Sequence, residues 1–290
     1  MSAQATVGDG LEIAVDVAIV GGGMVGTTLA AALGGAGLSV AIIDAQAPVT
    51  MTAEAFDGRS SAIALGSQHV LQGIGAWAAM ASAAQPIRDI RVSDGTATGR
   101  VSGLFVHYDH RDLAPPAAGG PAQPFGFIVE NRVTRRALLQ RLGELPGVRQ
   151  LAPARVVELT RSRREASLQL DDGRRIRTRL AIAADGRASP IRAAAGIKVV
   201  EWCYPQAGIV CTVAHERPHD GVAHEHFLPA GPFAMLPMVD DEVGTHRSSI
   251  VWTERDRLAP AMMALDDADF AAEIERRFGL SLGRLRPIGG

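Results

Sequence analysis

Three glycines and two carboxylates hold the chemistry most readily read in this chain. Gly21, Gly23 and Gly26 stand in the G-x-G-x-x-G spacing directly after the apolar run that starts at Asp16. Each position has its own requirement. Gly21 lets the chain turn sharply, Gly23 lets backbone approach a pyrophosphate with no side chain between, and Gly26 lets a helix pack closely on a strand. That helix opens at Met24, and its free N–H groups and partial positive charge would face the phosphates. Asp44 ends the next apolar run, 18 residues after Gly26, about where a first βαβ unit places its ribose-binding acid. Asp185, followed by Gly186, ends another apolar run. An acid there lies at the mouth of an open α/β sheet, where ligands bind. The residues alone also allow a tight βα turn without a ligand, and an Asp-Gly turn that merely caps a helix. Arg59, in Asp57-Gly-Arg-Ser-Ser, has the planar fork that suits phosphate oxygens; a surface arginine at a helix start explains it equally well.

These residues need a particular set of elements to position them. The pattern predicts a strand from Asp16, the glycine turn, a small-residue helix, and a second strand over residues 38–43, with residues 1–12 as a disordered lead-in. A helix is expected near residues 67–77, a strand over 86–92, a Pro/Ala/Gly-rich loop over 113–124, and a helix over 131–142. Strands are expected at 156–159, 166–170 and 175–182, the last two joined by the turn Asp171-Asp172-Gly173. After Ala195 the texture changes to short strands at 209–213, 224–228, 234–238 and 248–253, then a helix over 267–278. This predicts α/β architecture (α+β overall), with a nucleotide-binding domain built on the βαβ unit over 1–195 and an antiparallel-sheet domain over 196–290. The strand at 86–92 is expected to join the second sheet.

Bulk properties exclude several function classes. The 290 residues are 47% hydrophobic with net charge -2, so no global field favours nucleic acid. Arginines cluster around the Asp-Asp-Gly turn and read as a solvated hairpin. Cys203 and Cys211 lack C-x-x-C spacing and predict reduced thiols, not a disulfide scaffold or zinc site. No apolar run has the length of a membrane span, and the N-terminus lacks the pattern of a signal peptide. His224 and His226 share one face of a strand, but no third ligand is evident, so no metal is expected. No Gly-x-Ser-x-Gly or triad appears, and no side-chain nucleophile is expected.

Together, Gly21 to Gly26, Asp44, Asp57-x-Arg59, Asp185-Gly186-x-x-Ser189-x-x-Arg192 and the segment from Phe227 through Gly231-Pro232 to Pro237 resemble the class A FAD-dependent aromatic hydroxylases. Within that group the chain resembles the ubiquinone-biosynthesis hydroxylases of the 2-octaprenyl-6-methoxyphenol type. The resemblance runs from about Asp16 to the end. It implies a para-hydroxybenzoate-hydroxylase-like fold: a Rossmann-like FAD-binding domain plus a substrate sheet. FAD would be held by Gly21, Gly23, Met24, Gly26, Asp44, Arg59, Asp185 and Gly186, with NAD(P)H as co-substrate. His226, Phe227, Pro229, Gly231 and Pro232 would line the substrate pocket; the residues alone also allow a structural bend between strands.

The implied reaction is hydroxylation of a polyprenylated phenol by O2 through a flavin hydroperoxide. The protein's part is to orient the ring, favour its phenolate and exclude water. So hydrocarbon-rich a substrate implies a cytoplasmic enzyme working peripherally at the inner face of a membrane, or within a ubiquinone-biosynthesis protein assembly. The family also has a third motif, a Gly-Asp followed by a Pro/Gly-rich segment and a helix. None occurs before Gly290, so the expectation is a piece lacking that half of the flavin site. Two other readings stay open: an NAD(P)-dependent dehydrogenase built on the same βαβ unit, and a non-catalytic flavin-binding subunit.

Overall fold

The computed structural model describes residues 12–51, 58–96, 101–113 and 120–289. Of the disordered lead-in expected over residues 1–12, only Glu12 is described, and it opens a strand rather than ending a disordered segment; Asp57 and the middle of the expected 113–124 loop lie outside the described residues. The chain forms two compact units. The first takes Met1–Ala53, Gly73–Ala76 and Arg135–Glu201; the second takes Glu54–Gln72, Trp77–Thr134 and Trp202–Gly290.

The first unit is built on a six-stranded sheet. Its strand order is Val148–Leu151, Val40–Ile43, Glu12–Val20, Arg175–Ala183, Ala166–Leu170, Val156–Arg161. The first four strands are parallel, and the last two extend the sheet as an antiparallel meander. Both faces of the parallel part are covered, which is why its strands read as nearly continuous apolar runs. Val17, Ile19, Val40 and Ile42 pack on one side with Ala30 and Ala31 of the helix Met24–Gly35. Ile13, Val15, Ala18, Ala41 and Ile43 pack on the other side with Leu168 and Ile176. Gly173, at φ +89°, makes the expected hairpin turn.

The second unit holds a seven-stranded sheet in the order Leu285–Gly289, Gln206–His215, His246–Arg255, Gly231–Met238, Val222–Leu228, Asp89–Gly95, Val101–Asp109. It is antiparallel except where Asp89–Gly95 runs parallel to Val222–Leu228. The single strand expected over 86–92 is two strands. Gln85–Ile87 belongs to a separate three-stranded sheet with Ser60–Ala64 and Gly126–Glu130. The break falls at Arg88, whose N–H leaves the ladder to donate to the Gly221 carbonyl.

One face of the large sheet is closed by the helix Asp267–Phe278. Its start is capped by Asp266, which accepts from the Asp269 N–H, with Asp267 and Asp269 in the first turn; Arg276 and Arg277 complement the other end. Gly279, at φ +86°, ends it. Ile274 and Phe278 bury against Ile209, Cys211, Phe233, Met235 and Trp252. Trp252 is a core residue here, under Phe270 and with the Arg277 guanidinium 4.0 Å from its ring centroid. Among the described residues no helix is long and apolar enough to cross a membrane.

Candidate functional site

The glycine turn is wedged between two strand ends. The Gly21 N–H donates to the Ile43 carbonyl at 2.7 Å on one side, and the Ala184 N–H donates to the Val20 carbonyl at 2.7 Å on the other. Gly21 has φ +112°, and a Cβ there would lie 2.2 Å from the Ala184 carbonyl oxygen. Gly26 sits on the turn itself: a Cβ would lie 1.9 Å from the Gly21 carbonyl oxygen. Gly23 is different. A Cβ there would meet nothing within 4 Å, so its backbone borders open space. Gly23 is also the residue that starts the helix. No side chain caps that end and no acid stands in its first turn. The leading N–H groups, which have no partner inside a helix, therefore remain available to an anion. Met24 is partly buried and its carbonyl accepts from the Thr28 hydroxyl at 2.7 Å.

Asp44 follows the strand Val40–Ile43 and braces the turn. One carboxylate oxygen accepts from the Gly22 N–H at 2.5 Å and the other from the Gln46 N–H at 2.7 Å. Each oxygen has a further lone pair for a ribose hydroxyl. Asp185 follows Arg175–Ala183, the strand on the other side of the glycine turn. Its Oδ2 accepts from the Ile191 N–H at 3.3 Å, while its Oδ1 is buried and has no hydrogen-bond partner. Gly186, at φ +88°, lets the chain leave the strand, and Ser189 caps the short helix Pro190–Ala194 through the Arg192 N–H at 2.9 Å.

These residues share one cleft of about 690 Å³ at the carboxyl ends of three adjacent parallel strands, lined by Gly21, Gly23, Asp44, Arg135, Asp185 and Gly186. Strand order reverses there, with the second strand on one side of the first and a much later strand on the other. Such switch points are where open α/β sheets bind ligands. The residues fit an FAD nucleotide on three counts. There is open backbone at Gly23, an uncapped helix start beside it, and a buried Asp185 oxygen that lacks a donor. Arg59 lies in the second unit, before the strand Ser60–Ala64, and its carbonyl accepts from the Asn131 N–H at 3.0 Å.

The expected pocket residues divide by strand parity. Phe227 is half-exposed and pairs across the ladder with Pro232, so the two share a face. Pro229 is exposed in the connection between their strands. Gly231, at φ +137°, allows a close approach to Thr253, since a Cβ would lie 2.6 Å from its methyl group. His226 is not brought together with them. It points to the opposite face and packs in the core near Phe233 and Phe278. Its Nδ1 is 2.7 Å from the Ser93 hydroxyl, and burial pushes its pKa down. His224 lies on the same side, edge-on to Phe278, and burial pushes it down to about 4. Among the described residues no cluster of His, Cys, Asp or Glu is arranged to hold a metal ion. Two groups went unread in the sequence. Gly22 anchors Asp44, and Glu225 stands on the same face as Phe227. The alternation of His224-Glu-His-Phe227 was the available signal for the second.

A family model described as an FAD binding domain matches residues 14–288. The ubiquinone hydroxylase UbiL of Rhodospirillum rubrum is 49% identical over 288 residues, covering 99% of this chain and 63% of that protein. The 3-demethoxyubiquinol 3-hydroxylase of Escherichia coli is 33% identical over 94% of this chain and 66% of its own length. The chain thus spans less than two thirds of the length of these curated relatives. Among solved structures, a probable FAD-dependent monooxygenase from Pseudomonas aeruginosa, PqsL, superposes with a TM-score of 0.73 at 20% identity, over 95% of this chain and 73% of that one. That likeness identifies the fold: a Rossmann-like unit with an antiparallel-sheet unit, of the para-hydroxybenzoate-hydroxylase type.

Proposed function

Since this chain belongs to the FAD-binding-domain family, we propose that it forms the nucleotide- and substrate-binding part of a monooxygenase that hydroxylates the ring of a polyprenylated phenol in ubiquinone biosynthesis. NAD(P)H and O2 are its co-substrates. The observation that carries the reading is the cleft lined by Gly23, at an uncapped helix start, and by Asp185, one of whose oxygens is buried without a donor. That combination is incomplete without a ligand offering both hydroxyl donors and phosphate charge. The names of the relatives support the choice of ring hydroxylation.

In this reading the first unit holds FAD and the second receives the ring. The backbone at Gly21, Gly23, Met24 and Gly26 takes the pyrophosphate, Asp44 takes a ribose, and Asp185 with Gly186 takes a further hydroxyl or N–H donor. When bound, the flavin carries reducing equivalents from NAD(P)H to oxygen. The chain's own residues bind and orient, and none is required as a nucleophile. Phe227 and Pro232 present an apolar surface to the ring. The hydrocarbon tail of such a substrate supports a cytoplasmic enzyme that works beside a membrane, peripherally at its inner face, or within a protein assembly.

The test is a visible absorption spectrum of the purified chain after FAD is added and the excess removed, followed by NAD(P)H oxidation with and without a prenylphenol. Retained flavin and phenol-stimulated oxidation are expected. Flavin absent from both this chain and a C-terminally extended version overturns the flavin reading, and retained flavin without stimulation overturns the catalytic one.

A further inference from the structure

On the large sheet, the Glu225 carboxyl group stands in a row of apolar side chains on the face that the helix Asp267–Phe278 does not cover; Asp94, exposed and in register with Phe227, shares that face. Register places Val210, Val251, Ala234, Glu225 and Val92 in one row across five neighbouring strands, all on that face. Phe227 and Pro232 lie one step toward the strand ends. One step the other way, Ala223, Ile90 and Leu236 are packed with Ile87 and Ile128 and closed off. The Glu225 row thus lies where the covered part of this face gives way to its open part: Val251 is 39% exposed and Phe227 51%.

The Glu225 side chain is partly buried, and among the described residues it has no hydrogen bond or ion pair. A carboxylate drawn out of water without a donor is costly, and a ligand O–H would relieve that cost. Val92 and Ala234 flank Glu225 on the neighbouring strands, with Val251 beyond Ala234 and Phe227 one step along, and offer hydrocarbon on either side, the usual make-up of a small-molecule site with one oriented polar group.

We infer that Glu225 is the acceptor for the ring hydroxyl of the phenolic substrate and takes its proton as the ring is attacked. This assignment rests on the ring-hydroxylation reading above. The phenolic O–H bond breaks and the proton passes to a Glu225 carboxylate oxygen. The electron pair stays on the phenolic oxygen, where it delocalises to the ortho and para carbons and makes them better nucleophiles. Water later removes the proton, and no redox change occurs in this step. Burial, which pushes the Glu225 carboxyl above its ordinary pKa, narrows its gap to a phenol and so favours the transfer. The residue is catalytic in the strict sense, because it touches the reacting molecule.

The experiment uses the 290-residue chain with FAD, and calorimetry with 2-prenylphenol and its O-methyl ether as probes. The wild type is expected to prefer the phenol by about tenfold, the worth of one charge-assisted hydrogen bond. Glu225→Leu should abolish the preference while leaving ether binding intact. Glu225→Gln, which still accepts a hydrogen bond, should keep part of it. Should E225L not fold, Glu225→Asp, which withdraws the acceptor by one methylene, must lower the same preference. An undiminished phenol preference in E225L, or in E225D where that variant decides, overturns the role of Glu225 and leaves the ring-hydroxylation reading standing. If neither probe binds the wild type, that reading falls, and Glu225's role with it.

Discussion

Gly26→Ala is the sharpest probe of how the nucleotide unit is assembled. The added Cβ would lie 1.9 Å from the Gly21 carbonyl oxygen, whereas real Cβ contacts essentially never fall below 3.0 Å. The helix Met24–Gly35 must therefore lift by about 1.1 Å, the difference between the two. Lifting draws Ala30 and Ala31 away from Val17 and Ile19, with which they pack on the sheet. Overpacking of this kind costs about 1–3 kcal/mol. The better helix propensity of alanine returns at most about 1 kcal/mol. A net loss of about 1–2 kcal/mol corresponds to a fall of about 2–8 °C in the melting temperature of a domain of this size. Gly23→Ala is the control, because its Cβ meets nothing within 4 Å, and only a slightly weaker helix start is lost, a few tenths of a kcal/mol to about 1. Far-UV circular dichroism melts, with amide exchange over residues 24–35, read both variants. If G26A melts at or above the wild type, or the two variants melt together, the close seat of this helix on the glycine turn is wrong.

Three further outcomes are expected. Gly23→Val, whose side chain would project into the open space before the helix start, should weaken FAD retention by about tenfold or more with little change in melting; flavin equilibrium dialysis measures it, and unchanged affinity would mean that the cofactor does not approach there. His224, held at a pKa of about 4 by burial with help from His226 and Arg91, keeps its full contribution to stability above about pH 6.5. That contribution is lost as the pH falls through 4, because the unfolded chain binds the proton more readily, at most about 3 kcal/mol. Urea midpoints from pH 7 to pH 4 should fall less steeply in His224→Leu, and an equal slope would count against the burial account. Arg277→Leu leaves the buried Glu254 without its 3.1 Å partner and strips the cation from Trp252, so it should cost about 3 kcal/mol. Glu254→Leu in the same chain should recover much of that in urea unfolding, and a single-variant loss below about 1 kcal/mol would refute the pairing.

How far these features were legible depended on whether neighbouring residues or distant ones decide them. The βαβ unit was legible because its cues are local: apolar run, glycine turn, small-residue helix and a second run ending in Asp44. The helix Asp267–Phe278 was legible to the residue, since Asp266 caps it and Gly279 ends it. The strand Val101–Asp109 went unread, because it is an edge strand exposed along most of its length and shows no alternation of buried and exposed residues. The strand Leu285–Gly289 went unread because Pro287 and the closing glycines look like a tail. It is an edge strand, where proline is tolerated. The division of residues 85–95 between two sheets was not legible either. The signal is a single N–H at Arg88 that bonds to Gly221, far away in the chain.

The same distinction governs the substrate face. Alternation in His224-Glu-His-Phe227 says that the two histidines share one side and Glu225 shares the other with Phe227, but not which side is covered. That is decided by Phe278, which the chain delivers more than fifty residues later and which packs beside both histidines. A histidine is the more conspicuous residue, and it attracts a functional reading for that reason alone. Once the helix has claimed its side, the histidines become neutral core groups, and the only ionisable side chain of 222–228 left on the open face is Glu225. A partly buried carboxylate next to apolar side chains is a poor stabiliser of a sheet. Its presence in that row is therefore better accounted for by the substrate hydroxyl it accepts than by the fold it belongs to.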